Sequence, residues 1–304
     1  MSRHDGSSGL PRRALLGALT APWLVASGRA GAAPAHRDPP DDLRLVDWRF
    51  DDDRPFVRRA VVLAPRHLAA GEKVPTLVLF HGLGEAKQGH EAGAYAWLDR
   101  YGVGTCYARL RHPPVASVDR RGDLTTARAA AITGELAARP FGGMVLVCPF
   151  TPDVWSFRDK PGVFDALASF VAGPLLERVG REVPEADVGR TGVDGCSLGG
   201  FAALEVHRRK PARFGSLGVV QPAINQAQIA SYVDVIKGRA GLPVHVETST
   251  LDPYLAVSQS LHAALLKEGV ASEYLAPPGS HDQRFLRDVG TLEMLLWHDR
   301  ALRR

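Results

Sequence analysis

The sequence is poor in cysteine. Only Cys106, Cys148 and Cys196 occur in 304 residues. No two form a C-x-x-C pair and none has metal-ligand spacing with a histidine, so neither a metal site nor a thioredoxin-like redox motif is expected. An odd count argues against a disulfide framework, and buried free thiols are the expected state. Concentrated charge is lacking too. The formal charge is +4, but Lys and Arg are scattered among acidic residues. Nucleic acid is therefore not an expected partner, because such binders gather a basic stripe with interleaved aromatics. Past the N-terminal region, no segment has the length and apolarity of a membrane span. The body of the chain has no repeats and no low-complexity tract. The hydrophobic fraction of 45% and charged fraction of 23% describe an ordinary globular chain able to bury a sizeable core.

The first 35 residues differ from the rest. Arg12-Arg13 open a modestly apolar run that reaches about Ala26, followed by Ala30-Gly31-Ala32 and Ala33-Pro34-Ala35. A charged start, a short apolar stretch and small residues at the end read as an export signal. The paired arginines resemble a twin-arginine signal, although Pro11 stands where Ser or Thr is usual and Gly17 where Lys is usual. The mature protein is expected to be periplasmic or extracellular. Residues 36–55, rich in Pro and Asp, are expected to be a linker, and residues 56–304 one catalytic domain.

Short apolar runs at 56–63, 75–80, 102–108, 143–148, 188–193, 217–220, 244–247 and 273–276 predict strands. Apolar residues at helical spacing predict helices at 163–180, 198–209, 253–268 and 284–297. Strands alternating with helices imply an α/β fold, a mainly parallel sheet covered on both faces. Ligands bind such sheets beyond the carboxyl ends of the strands. Residues 109–126, with two prolines and several charges, are expected to be an excursion that partly covers the site.

The strand at 188–193 runs into Gly195-Cys196-Ser197-Leu198-Gly199, a G-x-S-x-G pattern with a helix directly behind it. Such a turn holds the serine Oγ proud of the sheet, and glycines let neighbouring backbone pass close. A serine nucleophile needs a base and an acid to orient that base. Five histidines follow Ser197. His207 and His262 fall on predicted helices, His245 within a strand, and His298 beyond the last apolar turn. Only His281 follows a strand in a loop, Pro278-Gly279-Ser280-His281-Asp282. For the acid, Asp252 in Ser249-Thr250-Leu251-Asp252-Pro253 is favoured, and Glu247 at the strand's end is the second candidate. An Asp before Pro also suits a helix N-cap, and the two roles are compatible.

Acyl chemistry also needs donors for the oxyanion. Leu198 supplies one backbone N–H. The strand at 75–80 runs into His81-Gly82-Leu83-Gly84, where Leu83 is the expected second donor and His81 shapes the loop. Trp155 and Gln221, each just past a predicted strand, are candidates for contact with substrate.

Over residues 56–297, His81-Gly82-Leu83-Gly84, Gly195-Cys196-Ser197-Leu198-Gly199-Gly200, Asp252 and His281 resemble the α/β-hydrolase superfamily, among its esterase-like members. The resemblance implies an eight-stranded, mostly parallel sheet with helices on both faces. It implies a cofactor-free mechanism acting on carboxylic-ester or related acyl substrates, small or polymeric. The span 101–143 holds more chain than a minimal member needs. The expected activity is that of a carboxylesterase-like serine hydrolase working through an acyl-enzyme on Ser197. The alternatives are an acyltransferase with the same triad and a non-catalytic binding protein of the same fold. Because a histidine base must be neutral, activity is expected to fall as pH drops below neutrality.

Overall fold

The computed structural model describes residues 39–50, 56 and 58–303. The expected export signal at residues 1–35 lies outside them. The strands are β1 (Leu43–Phe50), β2 (Arg58–Pro65), β3 (Val74–Phe80), β4 (Val145–Pro149), β5 (Ala186–Gly195), β6 (Ser216–Val220), β7 (Val244–Glu247) and β8 (Ser272–Leu275). They form one sheet in the order β1-β2-β4-β3-β5-β6-β7-β8. β2 runs antiparallel to both β1 and β4, and every pairing from β4 to β8 is parallel.

Each face of the sheet carries its own hydrophobic core. The two-residue period of a strand divides β2 between them: Ala60, Val62 and Ala64 join one core, Val61 and Leu63 the other. That burial on both faces explains why the central strands read as continuous apolar runs rather than alternating ones.

Three expectations are corrected. The linker expected at 36–55 contains β1, whose Leu43 and Trp48 are buried; its Pro- and Asp-rich flanks masked an alternating strand. The strand expected at 102–108 is the helix Val103–Arg111. Its buried Val103, Cys106, Tyr107 and Leu110 recur at helical spacing, and Gly102 supplies the left-handed residue (φ 67°) that starts it. The helix expected at 163–180 is interrupted by one wide turn, Val171–Leu175, which contains Pro174. Proline has no N–H for the helical ladder, so the ladder widens there.

The strand ends position everything that follows. β3 and β5 lie side by side, with Phe80 opposite Gly195. A Cβ at Gly199 would stand 2.0 Å from the Phe80 carbonyl oxygen, and one at Gly195 2.3 Å from the Gly199 oxygen. Both contacts are with backbone, which has no room to give. Gly199→Ala is therefore expected to destabilise the fold by on the order of 3 kcal/mol or more. A urea unfolding midpoint equal to that of the unsubstituted protein would contradict this crowding.

Buried histidines give stability a pH dependence. Burial pushes the imidazole of His207 down to about 4 and that of His245 down to about 3. Both stay neutral in the fold but take up protons at about 6.5 when unfolded. Their contribution is complete above that value and is lost as pH falls from there toward the folded values. His245 stacks on Trp297, with ring centroids 5.0 Å apart. His245→Phe keeps a stacking ring and removes the proton site. Its Tm is expected to fall less than that of the unsubstituted protein between about pH 7 and about pH 4, measured by thermal unfolding.

Candidate active site

Ser197 occupies the turn between β5 and the helix Leu198–Arg209, with φ 56° and ψ −117°. An L-residue rarely adopts this conformation, which costs about 1–3 kcal/mol. The surroundings hold it there. The Ser197 N–H donates to the Val220 carbonyl (3.0 Å), and the Ser197 carbonyl accepts from Phe201 (3.1 Å) and Ala223 (3.0 Å). The turn is thereby fastened both to its own helix and to the end of β6.

His281 and Asp252 are brought together by the ends of β7 and β8. Beyond the strands the two chains stay zipped: Thr250 N–H donates to Pro277, and Leu251 N–H to Gly279, at 3.0 and 2.9 Å. This places His281 Nδ1 2.9 Å from Asp252 Oδ1 and His281 Nε2 3.0 Å from Ser197 Oγ. Nδ1–H donating to the carboxylate leaves Nε2 free to accept from the serine hydroxyl. The Asp252 side chain also accepts from Tyr254 N–H (3.0 Å) and from the Thr248 hydroxyl (2.6 Å). The helix Leu255–Lys267 has Tyr254 at its N-cap with no side-chain cap, so the N-cap role weighed for Asp252 is not taken up; its carboxylate holds the backbone just ahead of that helix together with the imidazole.

Glu247 makes no hydrogen bond to His281. It shares the face of β7 that carries His245, two residues away, and is fully buried. Burial, with Glu293 and Asp194 nearby, pushes its carboxyl well above the usual range. The remaining histidines are also accounted for. His262 Nδ1 meets Ser272 Oγ at 3.0 Å, His207 and His245 sit in the core, and His298 is fully buried beneath the sheet.

The loop after β3 abuts the serine. A Cβ at Gly82 would stand 3.8 Å from the Ser197 Cβ. His81 is fully buried and fixes this loop. Its backbone N–H donates to Thr151 Oγ1 (3.0 Å), its Nδ1–H to the Gly82 carbonyl (3.0 Å), and its Nε2 accepts from Thr151 N–H (2.8 Å). Burial holds its pKa down at about 4, so the ring is neutral and suits one donated and one accepted bond. A trans peptide points its N–H opposite its carbonyl. Anchoring the Gly82 carbonyl therefore fixes the direction of the Leu83 N–H. Leu83 and Leu198 each open a helix, where an N–H has no intrahelical acceptor.

The two substrate candidates separate. Trp155 is 44% exposed and stacks on Phe201, centroids 6.2 Å apart. Phe201 lies one helical turn beyond Ser197. Gln221 is instead buried, and its amide nitrogen is committed to Ser249 Oγ (2.7 Å) and the Ser280 carbonyl (3.1 Å). It ties the loops that carry Asp252 and His281 to the end of β6, and that use explains why it stands on no open wall.

Some supporting residues have no signature in the sequence. Asp194 accepts from Gly195 N–H (2.6 Å) and from His298 Nε2–H (3.0 Å), while His298 Nδ1 meets Ser216 Oγ (2.8 Å). Arg121 spans the excursion at 109–126 and the loop that carries His281, meeting both carboxylate oxygens of Asp282 at 2.6 and 2.8 Å. Asp288, fully buried, accepts from Ser117, Val118 and Leu124 of the same excursion. Among the described residues, no group of three or more His, Cys, Asp and Glu side chains is arranged to hold a metal ion.

No protein-family model matches this chain, and no curated protein matches it. Solved structures do. A ferulic acid esterase superimposes with a TM-score of 0.60 at 15% identity, over 86% of this chain and 99% of its own. An S-formylglutathione hydrolase from Agrobacterium tumefaciens gives 0.57 at 17% identity, over 86% and 96%. A CE1 ferulic acid esterase from Anaeromyces mucronatus, solved with ferulic acid, gives 0.53 at 14% identity, over 86% and 91%. Likeness at this identity concerns the fold. With an eight-stranded mixed sheet in this strand order, both faces covered and a serine at the turn after β5, the chain has the α/β-hydrolase fold.

Proposed function

We propose that the protein hydrolyses carboxylic esters through an acyl-enzyme on Ser197. The observation that carries this reading is the imidazole of His281, within hydrogen-bond reach of both Ser197 Oγ and Asp252 Oδ1. His281 takes the hydroxyl proton as Oγ attacks the ester carbonyl, and Asp252 stabilises the imidazolium that forms. The N–H groups of Leu83 and Leu198 receive the oxyanion of the tetrahedral intermediate. His281 then returns the proton to the leaving alcohol. Water, deprotonated by the same ring, attacks the acyl-enzyme, and the ring returns that proton to Ser197 Oγ as the bond to it breaks and the acid leaves. The exposed Trp155 face, one stack from the helix that follows Ser197, offers an apolar rest for part of the ester.

A fluorophosphonate probe and a panel of p-nitrophenyl esters of rising chain length test the reading. Ser197→Ala is expected to abolish labelling and to lower kcat by at least about 10⁴-fold, and Asp252→Asn by a comparable factor. Persistent labelling of Ser197→Ala would sink the assignment. Product analysis with added acceptor alcohol distinguishes hydrolysis from acyl transfer, and free acid is the expected main product.

We also propose export, from Arg12-Arg13 ahead of the apolar run and the small residues at 30–35. A reporter fused behind residues 1–35 is expected to leave the cytoplasm. Replacing both arginines with lysine is expected to retain it, as cell fractionation would reveal.

A further inference from the structure

Building on the acyl chemistry proposed for Ser197, we infer that Glu85 is a positioning residue, joining the oxyanion-hole loop to the loop that carries His281 through Tyr101 and Gln283.

Glu85 lies two residues beyond Leu83 and is 4% exposed. A carboxylate taken out of water must be matched by hydrogen bonds. Its partners come from two distant parts of the chain. The Tyr101 hydroxyl donates to Oε2, and Gln283 Nε2 donates to Oε1 at 2.8 Å. Both partners are themselves oriented. Tyr101 is buried, packs edge-on against Trp97 with centroids 5.1 Å apart, and its carbonyl accepts from Thr291 Oγ1 at 3.0 Å. The Gln283 amide oxygen accepts from Arg287 (3.2 Å), which turns the amide nitrogen toward Glu85.

The Tyr101 hydroxyl does more than satisfy Glu85. While donating its O–H to the carboxylate, it presents a lone pair to the Gly82 N–H, 3.0 Å away. Gly82 is thus held from both sides, its N–H by Tyr101 and its carbonyl by His81. These two anchors set the plane from which the Leu83 N–H projects. The position leaves no slack: a Cβ on Gly82 would stand 3.0 Å from Tyr101 Oη, 3.5 Å from Glu85 Oε2 and 3.8 Å from the Ser197 Cβ. Gln283 meanwhile lies two residues past His281, on the helical turn capped by Asp282. One buried carboxylate thereby sets the separation between the donor that receives the oxyanion and the base that moves the proton. Misplacement of either by a fraction of an ångström is felt in the transition state and hardly in substrate binding.

The test uses the full chain and p-nitrophenyl acetate, with kcat expressed per fluorophosphonate-titrated serine so that misfolded protein does not count. Tyr101→Phe, which removes a single oxygen, is expected to lower kcat by about 10- to 100-fold while KM stays within about twofold. Glu85→Ala is expected to match it. Glu85→Gln keeps an acceptor for Tyr101 but sets its amide N–H₂ against Gln283 Nε2, and is expected to recover only part of the loss. Because Tyr101 and Gln283 act through the same carboxylate, Tyr101→Phe combined with Gln283→Ala is expected to cost less than the product of the two single losses. If Glu85→Ala does not fold, Tyr101→Phe and its double variant carry the test alone. An unchanged kcat in Tyr101→Phe, or a rise in KM alone, overturns the inference. Absence of labelling in the unsubstituted protein, or labelling that survives Ser197→Ala, overturns the serine reading itself, so the two failures are distinct.

Discussion

The site depends on how closely the ends of β3 and β5 approach. Phe80 and Gly195 are register partners, and the chain turns at Ser197 so sharply that Gly199 comes back against the Phe80 carbonyl. No side chain fits in that contact. Two consequences follow from the same crowding. Ser197 is forced into a strained conformation that lifts its hydroxyl off the sheet. The loop after β3 lies against it, so that a Cβ on Gly82 would stand 3.8 Å from the Ser197 Cβ. The strain persists because the turn is hydrogen-bonded to the helix behind it and to the end of β6.

Around that contact several buried polar groups are joined in hydrogen-bonded sets. Beneath the sheet, Asp194, His298 and Ser216 form a chain with no exposure to solvent. Gly192 on β5 and Gly218 on β6, the strands that carry Asp194 and Ser216, clear its space, since a Cβ on Gly218 would stand 1.8 Å from an Asp194 oxygen. At the carboxyl ends of the strands, His81, Glu85 and Gln221 each join two or more segments that meet at the site. An unpaired buried polar group costs about 1–3 kcal/mol, so each arrangement favours one relative placement of the segments it joins. Precision at the serine comes from these ties, while the two hydrophobic cores hold the sheet that the ties rest on.

The elements legible in the sequence were those with a local signature. Short β-rich runs marked seven of the eight strands, and β1 was hidden by the Pro and Asp residues around it. The segment 102–108 reads as a strand but forms a helix, because a short apolar run fits either and only packing chooses between them. Ser197 and His281 were legible from a turn motif and a loop position. Asp252 is favoured over Glu247 without being separated from it, because one closes the strand Val244–Glu247 and the other stands just past it. Gln221 was placed correctly at a strand end, but its partners, 28 and 59 residues away, leave no trace in the neighbouring sequence.

By itself the sequence determined the alternation of strands and helices, the glycines of the serine turn, and the chain order of serine, acid and base. These depend on backbone conformation and residue type within a few positions. Only the tertiary structure decided which carboxylate meets His281, because that rests on the face of β7 from which Glu247 projects and on the zipping of the β7 and β8 ends. It alone decided the roles of Tyr101, Gln283 and Glu85. Glu85 and Gln283 are 198 positions apart, and a hydrogen bond of that span exists only once the sheet has brought its ends together.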